Sequence, residues 1–145
     1  SVDVSDLILE ILAMDDTYLT KKIEIKKDLT DTQPFSDRSI LTIIIRNLLS
    51  NAFKFAPVGS AIVIKSWVDE HGFCFSVKDS GVGMAPELVA ALLSDQYSPA
   101  GGTMREKGSG VGLTLCRDLL KKINGKLDKE SESGKGTEMW ITIKQ

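Results

Sequence analysis

Histidine and cysteine are scarce in this chain of 145 residues: one histidine, His71, and two cysteines, Cys74 and Cys116. A structural zinc site needs four closely spaced thiolate or imidazole ligands, so that class is excluded. The two cysteines have no metal-binding spacing and read as reduced core thiols, not as a disulfide framework. No apolar run approaches the ~18 residues of a membrane span, and no signal peptide opens the chain, so any membrane anchor belongs to a segment elsewhere. An excess of one charge is also lacking. Eighteen Lys and Arg against twenty Asp and Glu leave a formal net charge of −2, which draws the chain neither to nucleic acid nor to an acidic membrane. Internal repeats are absent as well, and the length suits one domain with a substantial core.

What is present is a polar stripe inside an apolar helix. From Ser39 to Phe55 the chain reads SILTIIIRNLLSNAFKF, and Asn47, Asn51 and Lys54 recur in it at helical spacing. Buried amides and cations cost free energy unless partnered, and Ile44, Ile45, Leu48 and Leu49 flank this ridge. Amide oxygens suit a hard cation and a lysine one turn away suits an anion, which together point to a metal-bound phosphate. The helix alone leaves a plainer reading open, a core helix whose polar residues face water.

Two glycine-rich loops follow. DSGVGM, Asp79 to Met84, comes directly after the alternating segment FCFSVK, Phe73 to Lys78, which reads as a strand. A carboxylate at a strand end accepts a hydrogen bond from an exocyclic amine, and Gly81 and Gly83 let backbone approach a flat ring. GSGVGL, Gly108 to Leu113, precedes an apolar-periodic helix running to about Asn124 through Leu115, Leu119, Leu120 and Ile123. Glycines before a helix start leave amide N–H groups and the positive end of the helix dipole free to hold phosphate.

The remaining pattern predicts a helix over Asp6 to Met14 with Ser5 as its cap, then a strand with Ile23, Ile25 and Lys27 alternating. The asparagine helix stops at Pro57 and Gly59. Strands are expected near Ala61 to Val68 and Phe73 to Lys78, joined by a turn at Asp69 to Gly72, and near Lys126 to Glu130 and Glu138 to Lys144. A short helix is expected near Pro86 to Leu93. Strands in pairs with intervening helices imply an α+β two-layer sandwich, with helices on one face of a mixed sheet.

In this order the motifs resemble the ATP-binding catalytic domain of two-component sensor histidine kinases, whose superfamily includes DNA gyrase B, the heat-shock chaperone ATPases and the mismatch-repair ATPases. NLLSNAFKFAP, Asn47 to Pro57, resembles the N box; DSGVGM and GSGVGL resemble the two glycine boxes; GKGTEMWITI, Gly134 to Ile143, resembles the closing glycine-threonine strand. The resemblance covers almost the whole chain and implies a Bergerat-type ATP-binding fold, with ATP and Mg2+ bound.

Residue by residue, the resemblance implies that Asn51 ligates magnesium while Asn47 and Lys54 lie against the phosphates. Phe55 packs by the adenine, Asp79 reads its amino group with Thr137 in support, and Gly81, Gly83 and Met84 line the base. Gly108, Ser109, Gly110, Val111, Gly112 and Leu113 form the phosphate side. Asn47, Asn51 and Lys54 are the catalytic candidates. Leu93 to Lys107, LSDQYSPAGGTMREK, resembles the lid that closes over ATP, extending to about residue 109. It lacks the Phe-x-Pro-Phe motif common there, with Tyr97 its only aromatic residue. Arg105 and Lys107 are cations within reach of a terminal phosphate, or ordinary loop charges.

A histidine kinase needs an acceptor histidine on a helical dimerisation domain, yet His71 sits beside Gly72 in a predicted turn. The expected arrangement is therefore a catalytic half excised from a longer sensor protein. Its cytoplasmic domain, monomeric alone, passes phosphate to an upstream dimerisation and histidine-phosphoacceptor domain and thence to a response regulator receiver domain. Two alternatives stand beside it. One is an ATP-hydrolysing conformational switch of the gyrase or chaperone type, although the glutamate those relatives place four residues before the metal asparagine is here Asn47. The other is a nucleotide-binding regulatory module without chemistry.

Overall fold

The computed structural model describes residues 1–80, 108–132 and 136–145, with side chains at 108–113 and 131–132 left aside. The expected helix at Pro86 to Leu93, the lid, Tyr97, and the candidates Gly81, Gly83, Met84, Arg105 and Lys107 lie outside the described residues.

Two helices, α1 (Val4–Met14) and α2 (Thr17–Thr20), lead into strand β1 (Glu24–Asp28) and the long helix α3 (Arg38–Phe55). Strands β2 (Ala61–Asp69) and β3 (Gly72–Asp79) form a hairpin; helix α4 (Gly108–Lys122) and strands β4 (Gly125–Glu132) and β5 (Gly136–Ile143) complete the described chain. The sheet order is β1-β2-β3-β5-β4. β1 runs parallel to β2, across the α3 crossover, and the other pairings are antiparallel. This is the mixed-sheet α+β sandwich that the sequence pattern implies.

Alternation sets the two faces of the sheet. Ile62, Ile64, Phe73, Phe75, Val77, Met139, Ile141 and Ile143 are all buried in one cluster with Leu7, Ile8 and Ile11 of α1, Leu41, Ile44, Ile45, Leu48 and Leu49 of α3, and Cys116 and Leu120 of α4. Each such side chain, fully withdrawn from water, contributes about 1.5–3 kcal/mol. The opposite face carries Lys65, Trp67, Lys78, Glu138 and Trp140, all partly or fully exposed.

Local chemistry differs from expectation in four places. The α1 cap is Asp3, whose side chain accepts from the Asp6 amide at 3.0 Å, not Ser5, because the helix starts one residue before Ser5. α2 was not expected, since four residues are too short to show a period. Leu115 is 44% exposed and the inward position of α4 belongs to Cys116, which is fully buried. Burial pushes that thiol up to about 12, which makes it an inert core group. Finally, α4 begins at Gly108, so the glycines of the second loop sit in its first turns and not ahead of them.

The bounds of α3 are chemical. Asp37 caps its start by accepting from the Ile40 amide at 3.0 Å. At its end Lys21 donates from Nζ to the carbonyls of Phe53 (2.8 Å) and Lys54 (3.2 Å), satisfying groups that a helix C-terminus leaves open. In the β2–β3 turn the Asp69 carboxylate accepts from the His71 amide at 2.8 Å, a bond that lowers its pKa. His71 is exposed there, as a turn residue should be.

Candidate functional site

Connection lengths bring the candidate residues to one end of the sandwich. The segment between Phe55 and Ala61 is short, so the C-terminal turn of α3 lies beside the start of β2. There Ile62 pairs with Asp79, the last residue of β3, and Asp79 pairs with Thr137 near the start of β5. Only Ile123 and Asn124 separate α4 from β4, with Asn124 in the left-handed region at φ 57°. α4 therefore folds back over β4. A Cβ added at Gly125 would stand 2.7 Å from Leu120 Cδ2, which fixes the C-terminal end of α4 over the start of β4. Its N-terminal end then points toward the row Ser131, Thr137, Asp79.

The side chains at this end are polar where the rest of the face, Ser66 apart, is apolar. Asp79 and Thr137 are 4% and 5% exposed, on the same sheet face as Phe75 and Ile141. Asn51 is 8% exposed on α3. The polar stripe of that helix is graded and not uniformly enclosed. Asn47 is partly buried and its Nδ2 donates to the Ile43 carbonyl at 2.8 Å, while Lys54 is exposed with Nζ 5.8 Å from the centre of the partly buried Phe55 ring. Gly108, Ser109, Gly110, Val111, Gly112 and Leu113 form the first turns of α4. Backbone N–H groups of a first turn have no partner within their helix, which gives that end anion-binding character.

Two residues of this end escaped the sequence reading. Gly136 has φ 105°, and a Cβ there would stand 2.2 Å from the Asp79 carbonyl oxygen, so only glycine lets β5 lie against the end of β3. Lys129 is 9% exposed on β4, paired with Met139 on the core-facing row, and its Nζ is shut off from solvent with no hydrogen-bond partner among the described residues. Desolvation lowers its ammonium to about 8, against an opposing pull from the Asp79 carboxylate. The available signal was a lysine in the inward alternation after Leu127.

Residues 36–145 match the family described as histidine kinase-, DNA gyrase B- and HSP90-like ATPase. The chain belongs to that family. Among its relatives, sensor protein EvgS of Escherichia coli O157:H7 is 38% identical over 104 residues, which are 69% of this chain and 9% of EvgS. Hybrid signal transduction protein dokA of Dictyostelium discoideum is 36% identical over 119 residues, 76% of this chain and 7% of dokA. Sporulation kinase C of Bacillus subtilis is 28% identical over 97% of this chain and 32% of its own length. The chain thus spans a third or less of the length of these relatives.

Solved structures give the same picture. Full-length ShkA in complex with AMPPNP superposes with a TM-score of 0.78 at 25% identity, covering 99% of this chain and 31% of that one. The nucleotide-free catalytic domain of histidine kinase ThkA reaches 0.80 at 21% identity, with 99% and 94% covered, which shows a shared fold. As an ATPase-family domain of the sensor-kinase branch, the chain has the Bergerat fold. Among the described residues, no helix is long and apolar enough to cross a membrane.

Proposed function

We propose that this domain binds ATP with Mg2+ and donates the γ-phosphate to a histidine on a separate dimerisation domain of a sensor kinase. The observation that carries this reading is the polar end of an otherwise dry interlayer. A buried carboxylate, Asp79, and a buried hydroxyl, Thr137, share a sheet row toward which the N-terminus of α4 points, with the Asn51 turn of α3 at the same end. That arrangement offers an acceptor for the adenine amine at one side and N–H donors for phosphate at the other.

The residues suit magnesium. It is a hard cation that prefers oxygen ligands and retains water and phosphate in its shell, so one protein oxygen suffices. The buried Asn51 amide supplies one, and among the described residues no cluster of three or more His, Cys, Asp or Glu forms an all-protein cage. Bound there with the nucleotide, magnesium would neutralise charge across the phosphates. Asp79 and Thr137 orient the base, Phe55 packs beside it, and Lys54, Asn47 and the Gly108–Leu113 turns orient the phosphate chain. Gly81, Gly83, Met84 and Arg105 complete the proposed contacts. Catalysis of this kind rests on positioning and electrostatics, with the attacking imidazole brought by the partner domain.

In this reading residues 1–145 form one catalytic domain, with a lid at about 93–109, cytoplasmic and monomeric by itself. It works on an upstream phosphoacceptor domain of the same protein and, through it, on a response regulator. The test is to mix the domain with labelled ATP and a separately produced histidine-bearing helical domain of its parent protein. Acid-labile label on the acceptor histidine is expected. Release of free phosphate alone would indicate a switch-type ATPase, and binding without turnover a regulatory module.

A further inference from the structure

Lys129 breaks the pattern of its strand. β5 presents Met139, Ile141 and Ile143 to the core, and their partners on β4 are Lys129, Leu127 and Gly125. An apolar side chain at position 129 would continue the dry face; a lysine there puts an ammonium between a sheet and a helix. Its Nζ is shut off from solvent and has no hydrogen-bond partner among the described residues, although a buried ammonium left so is costly. The Asp79 charge offsets that cost only in part, and a buried donor still without a hydrogen bond marks a place where a ligand can supply one.

Placement identifies what is missing. Lys129 lies one row from the Ser131, Thr137, Asp79 row and on the same face, close enough for the Asp79 charge to favour its protonated form. The pair thus offers an acceptor, the Asp79 carboxylate, and a donor, the Lys129 ammonium, on one face of the sheet, on strands that flank β5 and one row apart. The Watson–Crick edge of adenine presents the complementary pair, an amine donor next to the N1 ring acceptor.

We propose that Lys129 is a specificity-determining residue of the nucleotide site, donating from Nζ to adenine N1 while Asp79 accepts from the adenine amine. The proposal rests on the ATP reading above and deepens it. In the free protein the lysine is held at a cost, and base binding gives it the partner it lacks. Selectivity follows because a base without an acceptor at N1 leaves the ammonium unpaired.

The experiment is calorimetric titration of the wild-type chain and Lys129→Met with MgATP and with the 1-deaza analogue of ATP, which carries C–H in place of N1. Methionine keeps the length and removes the donor; Lys129→Leu serves if the methionine variant does not fold. The wild type should prefer ATP over the analogue by about tenfold, the size of one hydrogen bond to a charged group. The variant should bind ATP about tenfold more weakly and no longer distinguish the two ligands. A variant that binds ATP as tightly as wild type overturns the assignment, as does one that weakens both ligands equally, which would place Lys129 on the phosphates. A wild type that binds neither ligand defeats the ATP reading itself, an outcome separate from the other two.

Discussion

The two ends of the interlayer are built from the same strands and helices and differ in what they enclose. At one end Phe73, Ile143 and Leu120 belong to the apolar cluster, with Leu120 and Ile143 packed toward Gly125. At the other, Lys129 lies two inward rows along and Asp79 and Thr137 three, all facing the interlayer, with Asn51 on α3. The dry end holds the layers together by burial of area, and the polar end gives up that stabilisation in exchange for groups a ligand can meet. The contrast teaches that a site can be found as the place where a continuous hydrophobic row stops although burial continues.

The sharpest way to test the dry side is Phe75→Ala, which removes a fully buried ring from the row that leads to Asp79. It should cost about 3–5 kcal/mol in urea unfolding, through lost burial and a residual cavity. A loss below about 1 kcal/mol would mean that the dry end does not carry the fold.

Next in size is the cost of the buried lysine. Its pKa falls from 10.5 to about 8 on folding, so below pH 8 both states are protonated and the folded state bears the full penalty, about 3 kcal/mol. Between pH 8 and 10.5 the unfolded chain binds more protons, so stability rises with pH and the penalty fades. Lys129→Met should therefore be more stable than wild type at pH 7, with the gap shrinking by pH 10. Denaturant curves at the two pH values check this, and a gap independent of pH would contradict it.

Asp79→Asn probes the polar side directly. It should weaken adenine nucleotides by about 1.5–3 kcal/mol, the worth of a hydrogen bond to a charged group. Equal losses of ATP and GTP analogues would remove Asp79 from base reading. The smallest effect belongs to Asn51→Ala, which should cost a few-fold in ATP affinity with magnesium and almost nothing with a chelator present. Titrations that change by the same factor in both conditions would end the ligand assignment.

Much of this contrast was legible in the chain. The alternation of FCFSVK gave β3 almost to the residue, and the apolar period from Ser39 to Phe55 gave α3, because both signals are local and strong. Asp79 stood out as a carboxylate at a strand end. Lys129 did not, since a lysine in a strand reads as solvent-facing until the partner strand fixes its side. Gly136 likewise needed the packing of β5 against β3 to show why no side chain fits.

By itself the sequence determined the elements, the asparagine and glycine motifs and the family pattern, all of which depend on neighbours a few residues apart. Only the tertiary structure decided which end of the sheet is polar, that Lys21 closes the asparagine helix, that Cys116 and not Leu115 enters the core, and that Lys129 is buried beside Asp79. Those outcomes depend on strand register and on the direction in which α4 folds back. Register turns every side chain of a strand inward or outward together, and it is set by contacts between residues far apart in the chain.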